Sequence, residues 1–149
     1  MSSAKKKRVI ISACLLGEQC RYDGKIKDSN AVIEAYKGYE IIPFCPEAPL
    51  FGTPRERISV VEIAEKQRIL QEPTGKDVTE LLEKEIHSFI EKHPQVDAIV
   101  LKSKSPSCGY KTTPILDENK NTLRLGNGIA TTLFLHAYPN IKIKDETLI

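Results

Sequence analysis

Runs of β-branched residues alternate with helical patterns along most of the chain. The segments "KRVIISA", "YEIIPF" and "VDAIVLKS" are typical of buried strands. The segments "DSNAVIEAYKG", "TGKDVTELLEKEIHSFIEKHP" and "NGIATTLFLHAYP" repeat apolar residues at helical spacing. Strands that alternate with helices favour a parallel sheet covered on both faces, so the pattern predicts an α/β fold.

Three further segments complete the predicted fold. "TPILDENKNTLRL" is typical of a hairpin that turns at "DENKN", and "IKIKDE" alternates as an edge strand does. "ISVVEIAEKQRILQE" fits a hairpin or an amphipathic helix, and we favour the hairpin. Asp77 and Glu80 have the spacing of a helix capping box. We predict a single compact Rossmann-like domain over residues 9–149, with a mainly parallel sheet flanked by helices and a small β-hairpin insert, after a basic, flexible tail over residues 1–8.

Composition narrows the classes of function. The 149 residues carry 22 basic and 20 acidic side chains, a net charge of +2, which argues against a nucleic-acid partner. No apolar run approaches the roughly 18 residues typical of a membrane span. The apolar run after the basic start breaks at Ser12 and shows no cleavage-site pattern, so we do not expect a signal peptide. We therefore expect a cytoplasmic protein with no membrane partner, and nothing in the sequence indicates an oligomeric state.

The four cysteines are the main candidates for chemistry: Cys14, Cys20, Cys45 and Cys108. In a reducing cytoplasm such residues indicate metal binding or catalysis more than disulfides. Cys14, Cys45 and Cys108 each follow one of the three predicted buried strands. Because ligands of open α/β sheets bind beyond the carboxyl ends of the strands, we expect these three thiols to converge on one crevice.

Thiolates in such a crevice are suitable ligands for zinc, copper(I) or an iron–sulfur cluster. Three protein ligands would leave one metal position open to a substrate. The alternative is that the thiols are buried and inert, because unmodified cysteine is among the most buried residue types. Glu47, two positions after Cys45, is a candidate general acid or base, and its alternative role is that of a surface carboxylate in a loop.

Other polar residues flank the cysteines. Ser103, Ser105 and Ser107 precede Cys108, where they would orient a substrate or donate to a cluster sulfur, or would serve only as turn residues. Arg21 and Asp23 would bind a polar substrate or form an ion pair beside the loop. The segment "GNGIATT" resembles a glycine-rich helix start that could bind an anion through its backbone N–H groups, although it is not a full phosphate-binding signature.

The motifs, taken in order, resemble one known family. "SACLLGEQCRYDG", "PFCPE", "GTPR", "GKDVT", "LKSKSPSCG" and "GNGIATTL" match the order of motifs in the thiouracil desulfidase family, which was long described as a domain of unknown function. The resemblance extends from Ile11 to about Leu135, nearly the whole chain. Two departures are "GIATT" in place of a valine-containing version and the lack of a glycine–alanine pair after "DVT".

The resemblance implies a compact α/β domain that binds a 4Fe-4S cluster through three cysteines, Cys14, Cys45 and Cys108. It implies a non-redox desulfidase that hydrolyses the C–S bond of a small thiolated nucleobase such as 2-thiouracil, giving uracil and hydrogen sulfide. In that reaction Glu47 would activate water and Ser103 would position the base. Cys20 lies outside the implied ligand set.

Two other interpretations stay open. In one, all four cysteines bind zinc in a structural or regulatory module without catalysis. In the other, the same cluster chemistry acts on thiolated tRNA, which the basic start of the chain would contact. Metal analysis separates the first from a desulfidase, and salt-dependent RNA binding would support the second.

Overall fold

The computed structural model describes residues 6–16, 30–51, 57–72 and 74–148. Its strands and helices, in chain order, are β1 (Arg8–Ser12), α1 (Asn30–Ala35), β2 (Glu40–Phe44), α2 (Ala48–Phe51), β3 (Ile58–Ile63), β4 (Lys66–Gln71), α3 (Thr79–Lys92), β5 (Ala98–Leu101), β6 (Thr113–Leu116), β7 (Thr122–Gly126), α4 (Ile129–Ala137) and β8 (Ile143–Asp145). One 3₁₀ turn, Ala13–Leu16, follows β1, and another, Glu146–Leu148, follows β8.

The first sheet is parallel throughout, with strand order β2-β1-β5-β8. β1 lies inside it, and Ile11 pairs with Pro43 of β2 on one side and with Val100 of β5 on the other. Pro43 cannot donate a backbone hydrogen bond, which is tolerated because β2 is an edge strand. The predicted α/β order is therefore confirmed, and so is the edge position of the C-terminal strand β8.

Both faces of this sheet are buried, which explains why its strands are almost continuously hydrophobic. Ile10 and Ile99 belong to a core that includes side chains of α3 and α4. Within it the Phe44 ring lies 4.7 Å from the Phe89 ring and 5.0 Å from the Phe134 ring, centroid to centroid. Neighbouring strand residues point to the opposite face, where they pack with residues of α1, chiefly Val32.

The second sheet is larger than the predicted hairpin insert. The ambiguous segment forms the hairpin β3–β4, and its turn residues Ala64 and Glu65 both have positive φ, as a type I′ hairpin turn requires. The predicted hairpin at "DENKN" forms β6–β7. β3 and β6 then pair in parallel, so the two hairpins make one four-stranded sheet with order β4-β3-β6-β7.

The start of α3 differs from the predicted capping box. Arg68 of β4 donates to the Glu80 carboxylate at 2.8 Å and to Asp77 at 2.7 Å, and Glu80 also accepts its own backbone N–H. Asp77 also accepts the backbone N–H of Thr79 at 3.0 Å. Arg68 therefore links α3 to the second sheet, and it binds the Glu80 carboxylate that would otherwise complete a capping box.

No helix within the described ranges is long and apolar enough to cross a membrane. Of the predicted basic tail, only Lys6, Lys7 and Arg8 are described, and all three are exposed. The first five residues lie outside the described part of the chain. The tail and the domain boundary at residue 9 therefore stay predictions.

Candidate active site

Three thiols lie at the carboxyl ends of three neighbouring parallel strands. Cys14 lies in the 3₁₀ turn directly after β1, Cys45 directly follows β2, and Cys108 lies in the loop after β5. Because β1 pairs with β2 on one side and β5 on the other, these three segments leave the same edge of the sheet. The convergence predicted from the sequence is what this topology produces.

The electrostatics of Cys108 depend on the other two thiols and on Glu47. Burial raises the pKa of the Cys108 thiol above its ordinary value, and the charges of Cys14, Cys45 and Glu47 raise it further. A hydrogen bond from Ser12 opposes the shift. The thiol of Cys108 is thus held in its protonated form until a metal or another positive group compensates for its charge.

The three thiols are soft donors of the kind that bind iron–sulfur clusters, zinc and copper(I). Within the described ranges, no three His, Cys, Asp or Glu side chains form a group that could hold one metal ion. A cluster attaches each thiolate to a different iron, so its ligands need not close around a single point. Three soft thiol donors, with Cys14 and Cys108 buried and Cys45 half-buried, have the ligand chemistry of an iron–sulfur cluster.

Ser105 builds the loop that carries Cys108. Its Oγ accepts the backbone N–H groups of Ser107 at 3.2 Å and of Cys108 at 3.0 Å. Its carbonyl accepts the N–H of Gly109 at 2.9 Å and the hydroxyl of Thr113 at 2.6 Å. The turn-forming role that the sequence left open for this serine is therefore present.

The start of α4 also holds the Cys108 loop through hydrogen bonds. The N–H of Ala130 donates to the Ser107 carbonyl, and the N–H of Gly128 donates to the Gly109 carbonyl, both at 2.8 Å. The buried hydroxyl of Thr131 donates to the Cys108 carbonyl at 2.8 Å. These helix-start N–H groups are thus occupied by the loop, so the anion-binding interpretation of "GNGIATT" is wrong for them.

Gly128 permits this close contact. A Cβ atom there would lie 2.5 Å from the carbonyl carbon and 2.6 Å from the carbonyl oxygen of Ser107, and 2.8 Å from the nitrogen of Cys108. Its φ of −67° is ordinary for any residue, so the requirement for glycine is steric and not conformational. Gly128 is visible in the sequence, but its role in letting α4 approach the Cys108 loop becomes clear only from the packing of the two segments.

We expect Gly128→Ala to destabilise the protein by about 3 kcal/mol, because the clashing atoms are backbone and cannot rotate away. For a chain of this length that corresponds to a fall of roughly 6–12 °C in Tm, measured by calorimetry or circular dichroism. Gly75→Ala is the matched control: φ is +75° and nothing lies within 4 Å, so only about 1 kcal/mol should be lost. Equal losses in the two variants would contradict the close approach.

Glu47 is a buried carboxylate beside the thiols. The Oγ of Ser107 donates to its Oε2 at 2.7 Å, and Ser107 is itself fully buried. The Glu47 carbonyl accepts the N–H of Phe51 at 2.9 Å, which anchors the residue at the start of α2. Glu47 is therefore not the exposed loop carboxylate of the alternative interpretation.

Ser103 faces a different carboxylate. Its N–H and its hydroxyl donate to the two oxygens of Glu146 at 2.7 and 2.6 Å. Lys102 Nζ lies 3.2 Å from the same carboxylate. Burial alone would raise the pKa of Glu146, but the hydrogen bonds from Ser103 and the charge of Lys102 outweigh it and lower that pKa. Glu146 is thus held ionised.

Sequence reasoning missed Ser12, Thr131 and Glu146, which hold or contact the Cys108 loop. A serine ending a β-branched strand was the only available signal for Ser12, and a carboxylate near the end of the chain gave none for Glu146. Arg21 and Asp23, the predicted substrate-binding pair, lie outside the described residues, as does Cys20.

The fold and the site together define an α/β domain with three thiols at the carboxyl edge of its parallel sheet. Comparison with known proteins agrees with that class. The model of the 2-thiouracil desulfurase family matches residues 9–146. The chain belongs to this family, which supports its assignment as a desulfidase.

Two individual proteins are similar to it. A solved structure of TudS, a [4Fe-4S]-dependent thiouracil desulfidase, superposes with a TM-score of 0.71 at 29% identity, over 97% of this chain and 93% of the other. The uncharacterized protein YbbK of Bacillus subtilis (strain 168) is 29% identical over 109 residues, which cover 68% of this chain and 72% of YbbK.

Proposed function

We propose that the protein is an iron–sulfur-dependent, non-redox desulfidase that converts a thiolated pyrimidine such as 2-thiouracil, with water, into uracil and hydrogen sulfide. The observation that carries the proposal is the position of Cys14, Cys45 and Cys108 at one edge of the sheet, beside the buried carboxylate of Glu47. The likeness to TudS supports both the cluster and the substrate class. A cytoplasmic location is part of the proposal, because the thiols must stay reduced.

Cys14, Cys45 and Cys108 would hold the 4Fe-4S cluster. When bound, the cluster would supply a Lewis-acidic iron for the thione sulfur and a place for the sulfide to leave. The overall change exchanges a C=S bond for a C=O bond at the expense of one water and releases hydrogen sulfide. No electrons are gained or lost, so the chain's own residues need only move protons and hold the substrate.

Glu47 is the proposed proton-transfer residue. Ser107 donates one hydrogen bond to its Oε2 and so fixes the orientation of the carboxylate. A carboxylate has two oxygens with several lone pairs, so it can accept a hydrogen bond from a water as well as from a hydroxyl. Glu47 would take the proton of that water as it attacks the thione carbon, and would return a proton to the departing sulfide.

The three loop serines differ in what their hydroxyls can offer a substrate. The hydroxyl hydrogens of Ser103 and Ser107 are donated to Glu146 and Glu47. Ser105 Oγ accepts two backbone N–H groups, and its hydrogen has no acceptor among the described residues. Ser105 is therefore the serine we expect to donate to the base, and Ser103 would act as an acceptor, for example from a ring N–H.

The remaining substrate contacts are proposed from the sequence alone. Arg21 and Asp23 would bind the polar edge of the base, as predicted, in the segment that follows the Cys14 turn. Ser107, which is fully buried, would act through Glu47 and not by touching the base. The small, uncharged substrate fits a chain with a net charge of +2 better than a thiolated tRNA does.

The test is sulfide release from 2-thiouracil by protein whose cluster has been rebuilt anaerobically, compared with the metal-free protein. We expect cluster-dependent formation of sulfide and uracil in equal amounts, with iron and acid-labile sulfide bound to the active form. An intact cluster without sulfide release would overturn the substrate. Bound zinc without labile sulfide would overturn the enzyme and favour the zinc-binding module.

A further inference from the structure

Ser12 is a polar residue in an otherwise apolar strand. It ends β1 after Val9, Ile10 and Ile11, all fully buried, and is itself only 2% exposed. A hydroxyl in such surroundings is costly unless its hydrogen bonds are made. Ser12 pairs in the sheet with Phe44, the residue directly before Cys45, and lies two residues before Cys14. It therefore lies at the end of the sheet from which the chain continues to Cys14 on one strand and to Cys45 on the next.

The contacts of Ser12 fix the direction of its hydroxyl hydrogen. The backbone N–H of Lys102, the first residue after β5, donates to Ser12 Oγ at 2.9 Å. The Ser12 hydroxyl also forms a hydrogen bond with the Cys108 thiol, and because its oxygen accepts from Lys102, its hydrogen is available to the sulfur. Ser12 thus links the end of β1, the end of β5 and the cysteine loop in a single chain of hydrogen bonds.

We propose that Ser12 is a positioning residue for the metal centre, whose hydroxyl fixes the Cys108 sulfur and draws negative charge from it. This inference rests on the proposed function, because it needs Cys108 to be a cluster ligand. Hydrogen bonds to ligand sulfurs are one of the factors that set the reduction potential of an iron–sulfur cluster. Less charge donated by the sulfur makes the iron a stronger Lewis acid and makes the cluster harder to oxidise.

The hydrogen bond between Ser12 and Cys108 also affects the position of the sulfur atom. The Cys108 loop is held by α4 through the Thr131 hydroxyl and by the C-terminal turn through Glu146. The Thr131 hydroxyl binds the backbone carbonyl of Cys108, and Glu146 binds Ser103, so neither of these hydrogen bonds is made to the sulfur. Ser12 alone among these anchors sets the position of the donor atom, so its loss should change the cluster and not only the stability of the loop.

The experiment measures the reduction potential of the anaerobically rebuilt cluster in the wild-type protein, Ser12→Ala, Ser12→Thr and Ser59→Ala. Ser59→Ala is the matched control, because it also removes a serine hydroxyl that donates at 2.7 Å, there to Glu72 in the second sheet. We expect Ser12→Ala to make reduction about tenfold less favourable, a shift of about 59 mV to lower potential for a one-electron couple. Ser12→Thr, which keeps the hydroxyl, and Ser59→Ala should stay near the wild-type value.

A second readout is the rate at which an iron chelator removes the cluster. Iron release should be several-fold faster from Ser12→Ala than from Ser12→Thr. If Ser12→Ala takes up no cluster while Ser12→Thr does, that result also supports the inference. An unchanged potential in Ser12→Ala, equal shifts in both Ser12 variants, or failure of both to load would overturn the inference. If the wild-type protein itself takes up no four-iron cluster, the proposed function fails instead.

Discussion

Replacing Cys108 with serine is expected to abolish cluster binding and to reduce sulfide release to the level of the metal-free protein. The thiolate is the form of cysteine that binds soft metals, and a serine hydroxyl is both harder and far less easily deprotonated. Cys108 is buried in a loop that Ser105 and α4 hold in place, so the substitution removes one donor from a fixed position. Iron, acid-labile sulfide and the visible absorption of the cluster measure binding, and sulfide release measures activity.

Cys20→Ser is the matched control for this variant. It removes a cysteine of the same chain that we place outside the ligand set, so it should keep the cluster and the activity. Loss of the cluster in Cys20→Ser would mean four protein ligands and no open iron, which contradicts the proposed mechanism. Retention of the cluster in Cys108→Ser would contradict the ligand assignment itself.

The parallel sheet could be predicted because its strands are short, largely buried and rich in β-branched residues, and helical patterns separate them along the chain. The second sheet could not, because the pairing of β3 with β6 joins residues more than fifty positions apart and leaves no local pattern. Local pattern also misassigned the start of α3. There Arg68, from another element, binds the carboxylate of Glu80 that a capping box would have used.

The candidate site, like the fold, could be predicted from the sequence only in part. Strand order places Cys14, Cys45 and Cys108 at one edge, and this follows from chain order and the rule for open α/β sheets. The partner of each serine could not be foreseen, because Ser103 and Ser107 select two different carboxylates from distant segments. Without those partners, all three serines of "LKSKSPSCG" were equal candidates for contact with a substrate.

The pairing of Glu47 with Ser107 joins the fold to the proposed chemistry. Ser107 is held by the turn of the Cys108 loop, and Glu47 is anchored at the start of α2, just after Cys45. The hydrogen bond between them therefore connects the segments carrying two proposed ligands. A carboxylate held in this way keeps its position relative to the thiols, which is what a proton-transfer residue beside a bound substrate requires.

We expect Glu47→Gln to lower kcat for sulfide release by roughly 10²–10⁴-fold, the usual range for loss of a general acid–base group. An amide of the same shape can still accept from Ser107, so the cluster should load normally, but it cannot take a proton from water. Glu72→Gln is the matched control, because Glu72 accepts the Ser59 hydroxyl at 2.7 Å, the distance found between Ser107 and Glu47. It should keep the wild-type kcat. A Glu47→Gln variant with a loaded cluster and unchanged kcat would move the proton-transfer role to another residue.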